Sequence, residues 1–582
     1  MDPNNETHRD RLAKAIEHSY RELEPFRQLN KSLVEEYAGS GYGRSGTPKF
    51  ETVINLMNQA VTAYTMALAA NRPRVLVTCP DPSRNYFCKK YEVAMNNLIK
   101  EIGLEITLRQ WVLDAFFCVG IVKVHMADSG LVELENDLWM DPGRPFASNV
   151  SLDNWVHDMG ATKWSQTKFS GDTYRIPMED LQHPMYEQDL VKDLQESRRT
   201  AIEENRLEFL SHYDTADGTD LEPMVDLADI WIPRDGKIYT YALSQRSQFK
   251  ITGKPLAVMD WTGPEMGPYK KMGFNDVPEN IMPTSPASHL ATLARIANNL
   301  MRKQKRQASR QKDVHMYTAA GKDDAARLQR SDDGQWINVN DPSQVATLKM
   351  GGVDQGNQAF LISVMQLFDR MAGNLTGMLG LGAQAPTASQ EQILQGRISS
   401  KEAQMQYTVL DATTSLIRDL GWLLWNDQVR VMPGSFPIQG TDNYTADATW
   451  TPDHREGEYG DYNIDIDVYS MSYESPEQKA AKLNMLLTQI YGPMAQILMS
   501  QGGVLNLQKL VEQHAQLLNL PQLKECISFG NIPSEGTGET TSSPVSTRTY
   551  ERRSVPTGGT PQNRANQEQQ AWLAAASQNG GQ

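Results

Sequence analysis

Cysteine is scarce: four residues in 582 (Cys79, Cys88, Cys118 and Cys526), with none of the close spacings that gather thiolates round a metal. This excludes a zinc module or a disulfide-stapled secreted domain, and free thiols in a reducing cytoplasm are expected. Long apolar runs are missing as well. The longest candidate, Trp111 to Val124, falls short of the ~18 residues a membrane span needs. It is also cut by Asp114, Gly120 and Lys123. Residues 1–6 are polar and acidic where a secretory leader carries a basic region and an apolar stretch, so none is expected.

Signatures of catalysis are absent in the same way. A phosphate-cradling loop needs two glycines with four residues between them, followed by Lys and Ser or Thr, because amides and ammonium meet the phosphates at fixed spacing. Gly41 to Gly46 is followed by Thr47-Pro48-Lys49, and Gly321-Lys322 by Asp323, so neither fits. The ten histidines are scattered, with no His-Glu-x-x-His, and no Ser or Cys sits in a nucleophile elbow. No catalytic, cofactor or metal residues are expected. Asp153, His157 and Asp158 read as a turn or strand edge, and Asp465 and Asp467 as the wet face of a strand.

Positive charge is in deficit: 56 basic against 71 acidic residues give a net charge of -15. A protein built to grip DNA neutralises phosphates with a basic face. This chain does not do so globally, so any DNA partner is one that must not stick. Hydrophobic residues at 40% and a mean hydropathy of -0.52 leave much polar surface. The length exceeds what one core serves.

What is present is an order of segments. Residues 8–37 read as a surface helix, with Leu12, Ala15, Ile16, Tyr20, Leu23 and Phe26 at helical spacing. Helices are predicted over about 50–71 and 83–102, then another into Phe117. Short strands follow over 121–174 and 224–258, with a charged helical stretch over 177–212 between them. Ser285 and Pro286 then form a helix start. Leu290, Leu293, Ala297 and Leu300 recur at helical spacing before the helix turns basic at Arg302, Lys303, Lys305, Arg306, Arg310 and Lys312.

A small β-rich insert is predicted over 315–353, from His315-Met316-Tyr317, the run Gln335 to Val339, and Val345 to Leu348. Asp354 caps a second helix with Leu361, Val364, Phe368, Met371, Leu375 and Met378 on one face. A loop, Gly380-Leu381-Gly382-Ala383-Gln384-Ala385-Pro386, precedes a long helix whose capping box is Ser389 and Gln392. At about forty residues that helix is roughly 60 Å long. Trp422 and Trp425 with Leu416, Leu420, Leu423 and Leu424 read as packing near its end. A strand over 462–469, a helical unit over 476–520 and a polar tail complete the chain.

This order resembles the portal family of tailed bacteriophages, the head-to-tail connector, over about residues 8–526. Local runs are similar too: Asn55 to Val75, Val150 to Asp158 with Tyr174-Arg175-Ile176-Pro177, and Gly267 through Pro286. The resemblance implies an α+β portal fold with wing, stem, clip and crown regions, its long helices set around a ring channel. The implied divisions are a wing over 1–283, a stem helix over 284–314, a clip over 315–353 and a second stem helix over 354–379. A tunnel loop over 380–389, a long wing helix with wing strands over 390–474, a crown over 475–529 and a flexible tail over 530–582 follow.

The resemblance further implies a homo-oligomeric ring, usually twelve-fold, at one capsid vertex of the virion, assembled in the host cytoplasm. Double-stranded DNA passes through it during packaging and ejection. The terminase large subunit docks first, then tail or adaptor proteins, with major capsid and scaffolding proteins around it. No cofactor, no membrane and no enzymatic activity are implied. Arg302 to Lys312 then line the channel or face the motor, where the residues alone also allow pairing with a neighbouring subunit or a solvated helix face, and Gly380 to Pro386 form the tunnel loop rather than an ordinary helix–helix connection. Two other classes fit the composition: another minor virion protein, and a nuclease using Asp465 and Asp467 with a divalent ion.

Overall fold

The computed structural model describes residues 5–39, 54–69, 71–127, 132–135, 138–140, 143–195, 222–264, 266–319, 322–329, 338, 345–350, 352–373, 388–428, 430–437, 445–467 and 470–471. Two compact units divide the chain: Met1–Leu505 with Leu517–Asn519, and Asn506–Gln516 with Leu520–Gln582. Every described residue belongs to the first, a mixed helix-and-sheet α+β body. The segments expected as crown and tail lie outside the described residues.

The N-terminal helix is two helices, α1 (Glu6–Glu22) and α2 (Glu24–Ala38). Pro25 breaks the predicted single rod, since it has no amide for an intrahelical bond but suits a first turn. Leu12, Ile16 and Tyr20 are buried against a sheet as their spacing predicts. Then come α3 (Leu56–Ala69), strand β1 (Val75–Thr78), α4 (Asn85–Glu101) and α5 (Leu104–Phe117). Gly103 adopts a positive φ of 61°, which lets the chain reverse between the last two helices.

Strands follow: β2 (Gly120–Ala127), β3 (Val132–Glu135), β4 (Leu138–Met140), β5 (Arg144–Val150), β6 (Trp155–His157) and β7 (Ser170–Pro177). Of the stretch predicted helical after Ile176, the described residues form a 3-10 turn, Met178–Gln182, and the short helix α6 (Gln188–Val191). The rest of that stretch, 196–221, lies outside the described residues. Next are β8 (Met224–Ile232), β9 (Lys237–Gln245), β10 (Lys250–Asp260), β11 (Tyr269–Met272), β12 (Asn275–Val277) and β13 (Asn280–Thr284). Antiparallel pairing builds a five-stranded sheet in the order β10-β9-β8-β7-β6 and a three-stranded sheet β11-β2-β5.

The C-terminal part consists of α7 (Pro286–Ser309), β14 (Lys312–Tyr317), α8 (Lys322–Gln329), β15 (Val345–Met350), α9 (Gln355–Met371) and α10 (Ala388–Asn426). Three short strands end it: β16 (Ser435–Pro437), β17 (Thr445–Asp447) and β18 (Asn463–Ile466), the last paired with β1. The largest core joins α3, α4, α5, α7, α9 and α10 through residues such as Tyr64, Trp111, Leu290, Phe368 and Leu416. Among the described residues no helix is long and apolar enough to cross a membrane.

Two side-chain networks fix the sheets. Asp172 and Asp229 stand opposite each other across β7 and β8. Lys123, from the other sheet, donates to both, at 2.8 and 2.7 Å. Tyr269 donates to Asp172 at 2.5 Å, and Tyr174 and Thr240 to Asp229 at 3.0 and 2.7 Å. Burial opposes the Lys123 charge, but the two carboxylates overcome it and hold the ammonium protonated well above its ordinary range. A second buried pair, Lys270 with Asp419 at 2.7 Å, ties β11 to α10.

Candidate functional site

Two helices joined by a small insert form the feature the sequence singles out. Ser285 caps α7, its hydroxyl oxygen accepting from the Ser288 amide at 3.1 Å, while the same hydroxyl donates to the Phe116 carbonyl at 3.1 Å. Pro286 occupies the first turn. Asp354 caps α9 by accepting from the Gly356 amide at 2.9 Å. Both starts lie where residue type alone predicts them.

The helices run antiparallel. Lys303 reaches Asn357 at 3.4 Å and the Gln307 amide oxygen accepts from the Asp354 backbone at 3.4 Å, so numbers fall on one helix as they rise on the other. Between them β14 and β15 pair in register from Lys312 opposite Met350 to Tyr317 opposite Val345. The insert therefore begins at Lys312, not at residue 315, and it holds the short helix α8 as well as strands. The predicted strand at Gln335 to Val339 falls almost wholly outside the described residues.

The predicted stem helix to residue 314 ends at Ser309. Arg302, Lys303, Lys305 and Arg306 are on α7, Arg310 is its C-cap, and Lys312 opens β14. Like charges one turn apart at Arg302, Arg306 and Arg310 weaken the last turns, and the ladder to β15 takes over the backbone. At 100° per residue, Arg302, Lys303, Arg306 and Arg310 share an arc of about 100°, with Lys305 outside it. At Arg302, which donates to the Asn298 carbonyl, this arc borders the buried face of Leu290, Ala291, Ala294, Ala297 and Asn298; its other members turn away from it. No acidic residue occurs in α7. Among the described residues Lys303, Arg306 and Arg310 form no ion pair; Arg295, nearer the body, pairs with Glu36 at 2.7 Å.

On α9, Leu361, Val364 and Phe368 are buried as their spacing predicts, but Met371 is not. The apolar surface is also wider than the buried face. Phe360, Leu367 and Met371 lie within about 40° of one another on one flank, and Ile362 and Met365 within about 60° on the other. All five are between 37% and 53% exposed. The helix ends at Met371, with Ala372 as C-cap. Its expected continuation at Leu375 and Met378, and the loop Gly380 to Pro386, lie outside the described residues.

α10 is 39 residues long, about 58 Å. It starts at Ala388, so Ser389 sits within the helix. Leu416, Leu420 and Leu424 are fully buried, and Trp425 packs with Phe87, Tyr91, Trp450 and Tyr462. Trp422 donates to the Thr262 carbonyl at 2.6 Å. These aromatics anchor the helix to the body.

The carboxylate candidates have these partners among the described residues. Asp465 accepts from Asn463 at 2.9 Å and from Arg418 at 3.4 Å, and the Asp467 amide donates to the Arg74 carbonyl at 2.9 Å. His157 is buried, its Nδ1 accepting from the Trp155 indole at 3.0 Å. Asp158 accepts from the Gly160 and Lys168 amides. Among the described residues no group of three or more His, Cys, Asp or Glu is placed to hold a metal ion. Sequence reasoning missed the Lys123 network, whose members lie on five strands with no local motif to flag them.

No family model matches the sequence, and neither does any curated protein. Among solved structures, one to which the chain is similar belongs to the "Virion of native gene transfer agent (GTA) particle". Identity is 12% and the TM-score 0.34, over 85% of this chain and 99% of that one.

Proposed function

We propose that this chain is a portal subunit: a structural protein without catalytic chemistry of its own, arranged with identical copies around a channel for double-stranded DNA. The observation that carries the reading is the pair of exposed apolar flanks on α9. A helix that packs only against its own body needs one apolar stripe. A helix inside a closed ring of like subunits has neighbours on both sides, because a rotational arrangement uses two different faces of each copy. Phe360, Leu367 and Met371 serve one neighbour, Ile362 and Met365 the other, and methionine's flexible thioether suits surfaces that must shift.

The basic arc of α7 fits the same arrangement. A few cations in a chain of net charge -15 allow brief phosphate contacts, without the dense neutralisation that holds DNA in place. The strand pair and α8 at the far end of the hairpin form the clip, which receives the terminase large subunit and later tail or adaptor proteins. Capsid and scaffolding proteins surround the ring in the virion. The test is class averaging of negatively stained particles of the purified protein. Rings of uniform size, usually twelve-fold, are expected, and monodisperse monomers at micromolar concentration would overturn the proposal.

A further inference from the structure

Strand β1 and helix α4 lie side by side and run in opposite directions. Asn96 bonds both backbone groups of Val75, donating to its carbonyl at 3.0 Å and accepting from its amide at 3.0 Å. Two residues along, the Val77 amide donates to Glu92 at 3.3 Å. Two strand residues advance about 6.6 Å and four helix residues about 6.0 Å, so the two elements stay in step. The next pair in this register is Cys79 with Cys88. Cys79 lies close enough to Cys88 to raise the pKa of its thiol. Cys79 is half-buried and Cys88 buried.

The turn between them is built to keep this register. Asp81 accepts from the Ser83 amide and hydroxyl at 2.9 and 2.8 Å, and Arg84 reaches Asp461 at 2.5 Å. Cys118, by contrast, belongs to a different core cluster and is fully buried.

We infer that Cys79 and Cys88 are a latent redox pair, a modification site that closes to an intrachain disulfide by exchange with a small-molecule disulfide. The half-buried Cys79 gives its proton to solvent, and its thiolate attacks the small disulfide. This forms a mixed disulfide and releases one thiolate. Cys88, once deprotonated, attacks the Cys79 sulfur and displaces the second small thiolate. Two protein thiols are oxidised, one small disulfide is reduced to two thiols, and the electrons balance. Burial and the neighbouring Cys79 raise the Cys88 thiol's pKa, which makes the second step the slower one. The crosslink fixes β1, and with it its partner β18, to the first turns of α4.

The test uses the full chain treated with oxidised glutathione at mildly alkaline pH, then alkylated and digested with trypsin. Cleavage after Arg74, Arg84 and Lys89 places the two cysteines on separate peptides, residues 75–84 and 85–89. The expected product is these two peptides joined, lighter by about 2 Da than their sum. In C88S the glutathione adduct should persist on Cys79 instead, with circular dichroism unchanged. Recovery of both cysteines alkylated from the treated wild-type chain overturns the inference, and so does a lasting glutathione adduct on its Cys79.

Discussion

Asp172 and Asp229 face each other across two paired strands, an arrangement that repels unless something cationic lies between them. Lys123 does so from the neighbouring sheet, buried with both carboxylates. Lys123→Met fills similar volume but leaves two carboxylates facing each other in a buried site. It should cost about 3–5 kcal/mol, read as a lower urea midpoint, and an unchanged midpoint would refute the role. His157 gives a prediction with a pH signature. Burial, and then Lys271, lower its pKa from 6.5 to about 3. The unfolded chain therefore binds a proton that the folded chain refuses between those values, and stability falls as pH drops through that window. His157→Gln should flatten the pH dependence of the urea midpoint there by about one proton; identical slopes would contradict it. Neither role was legible from the sequence. Lys123, Asp172 and Asp229 lie far apart along the chain, and only the register of three strands gathers them. The neighbourhood of His157 reads correctly as strand, yet nothing local says that the imidazole is sealed off.

Elements were more legible than networks, because their signals are local. Ser285-Pro286 and Asp354 announce two helix starts, and the spacing of Leu361, Val364 and Phe368 gives the buried face of α9. Where competing terms meet, the reading slipped. Pro25 splits the first helix although its apolar spacing continues through the break. The basic end of α7 yields to a strand pair whose partner is some thirty residues downstream. The exposed flanks of α9 could not be read at all, since periodicity does not say which apolar residues stay uncovered. They give the sharpest prediction at this scale. Leu367→Glu changes a residue 47% exposed in the protomer, so the fold should keep its ellipticity and thermal midpoint. On the proposed ring reading, the carboxylate would be buried in a subunit contact, which is costly, so sedimentation velocity should show rings replaced by small species. Intact rings would remove Leu367 from the contact.

For the whole molecule the question is whether assembly and docking reside in separable parts of one hairpin. The apolar flanks lie on α9, whereas the insert hangs on a strand pair whose last register step joins Tyr317 to Val345. That step marks where the insert can be removed with little disturbance to either helix. Replacing residues 318–344 by Asn-Gly supplies the two-residue turn that matches the twist of an antiparallel pair. The core residues of α7 and α9, including Leu290, Ala294, Val364 and Phe368, keep their partners. On the proposed portal reading, rings should therefore still form, as seen by electron microscopy, but ATP-driven DNA packaging with the cognate terminase should be lost, because that reading gives the insert the docking role. Packaging at the wild-type rate by such rings would separate the insert from the motor and leave the hairpin with assembly alone.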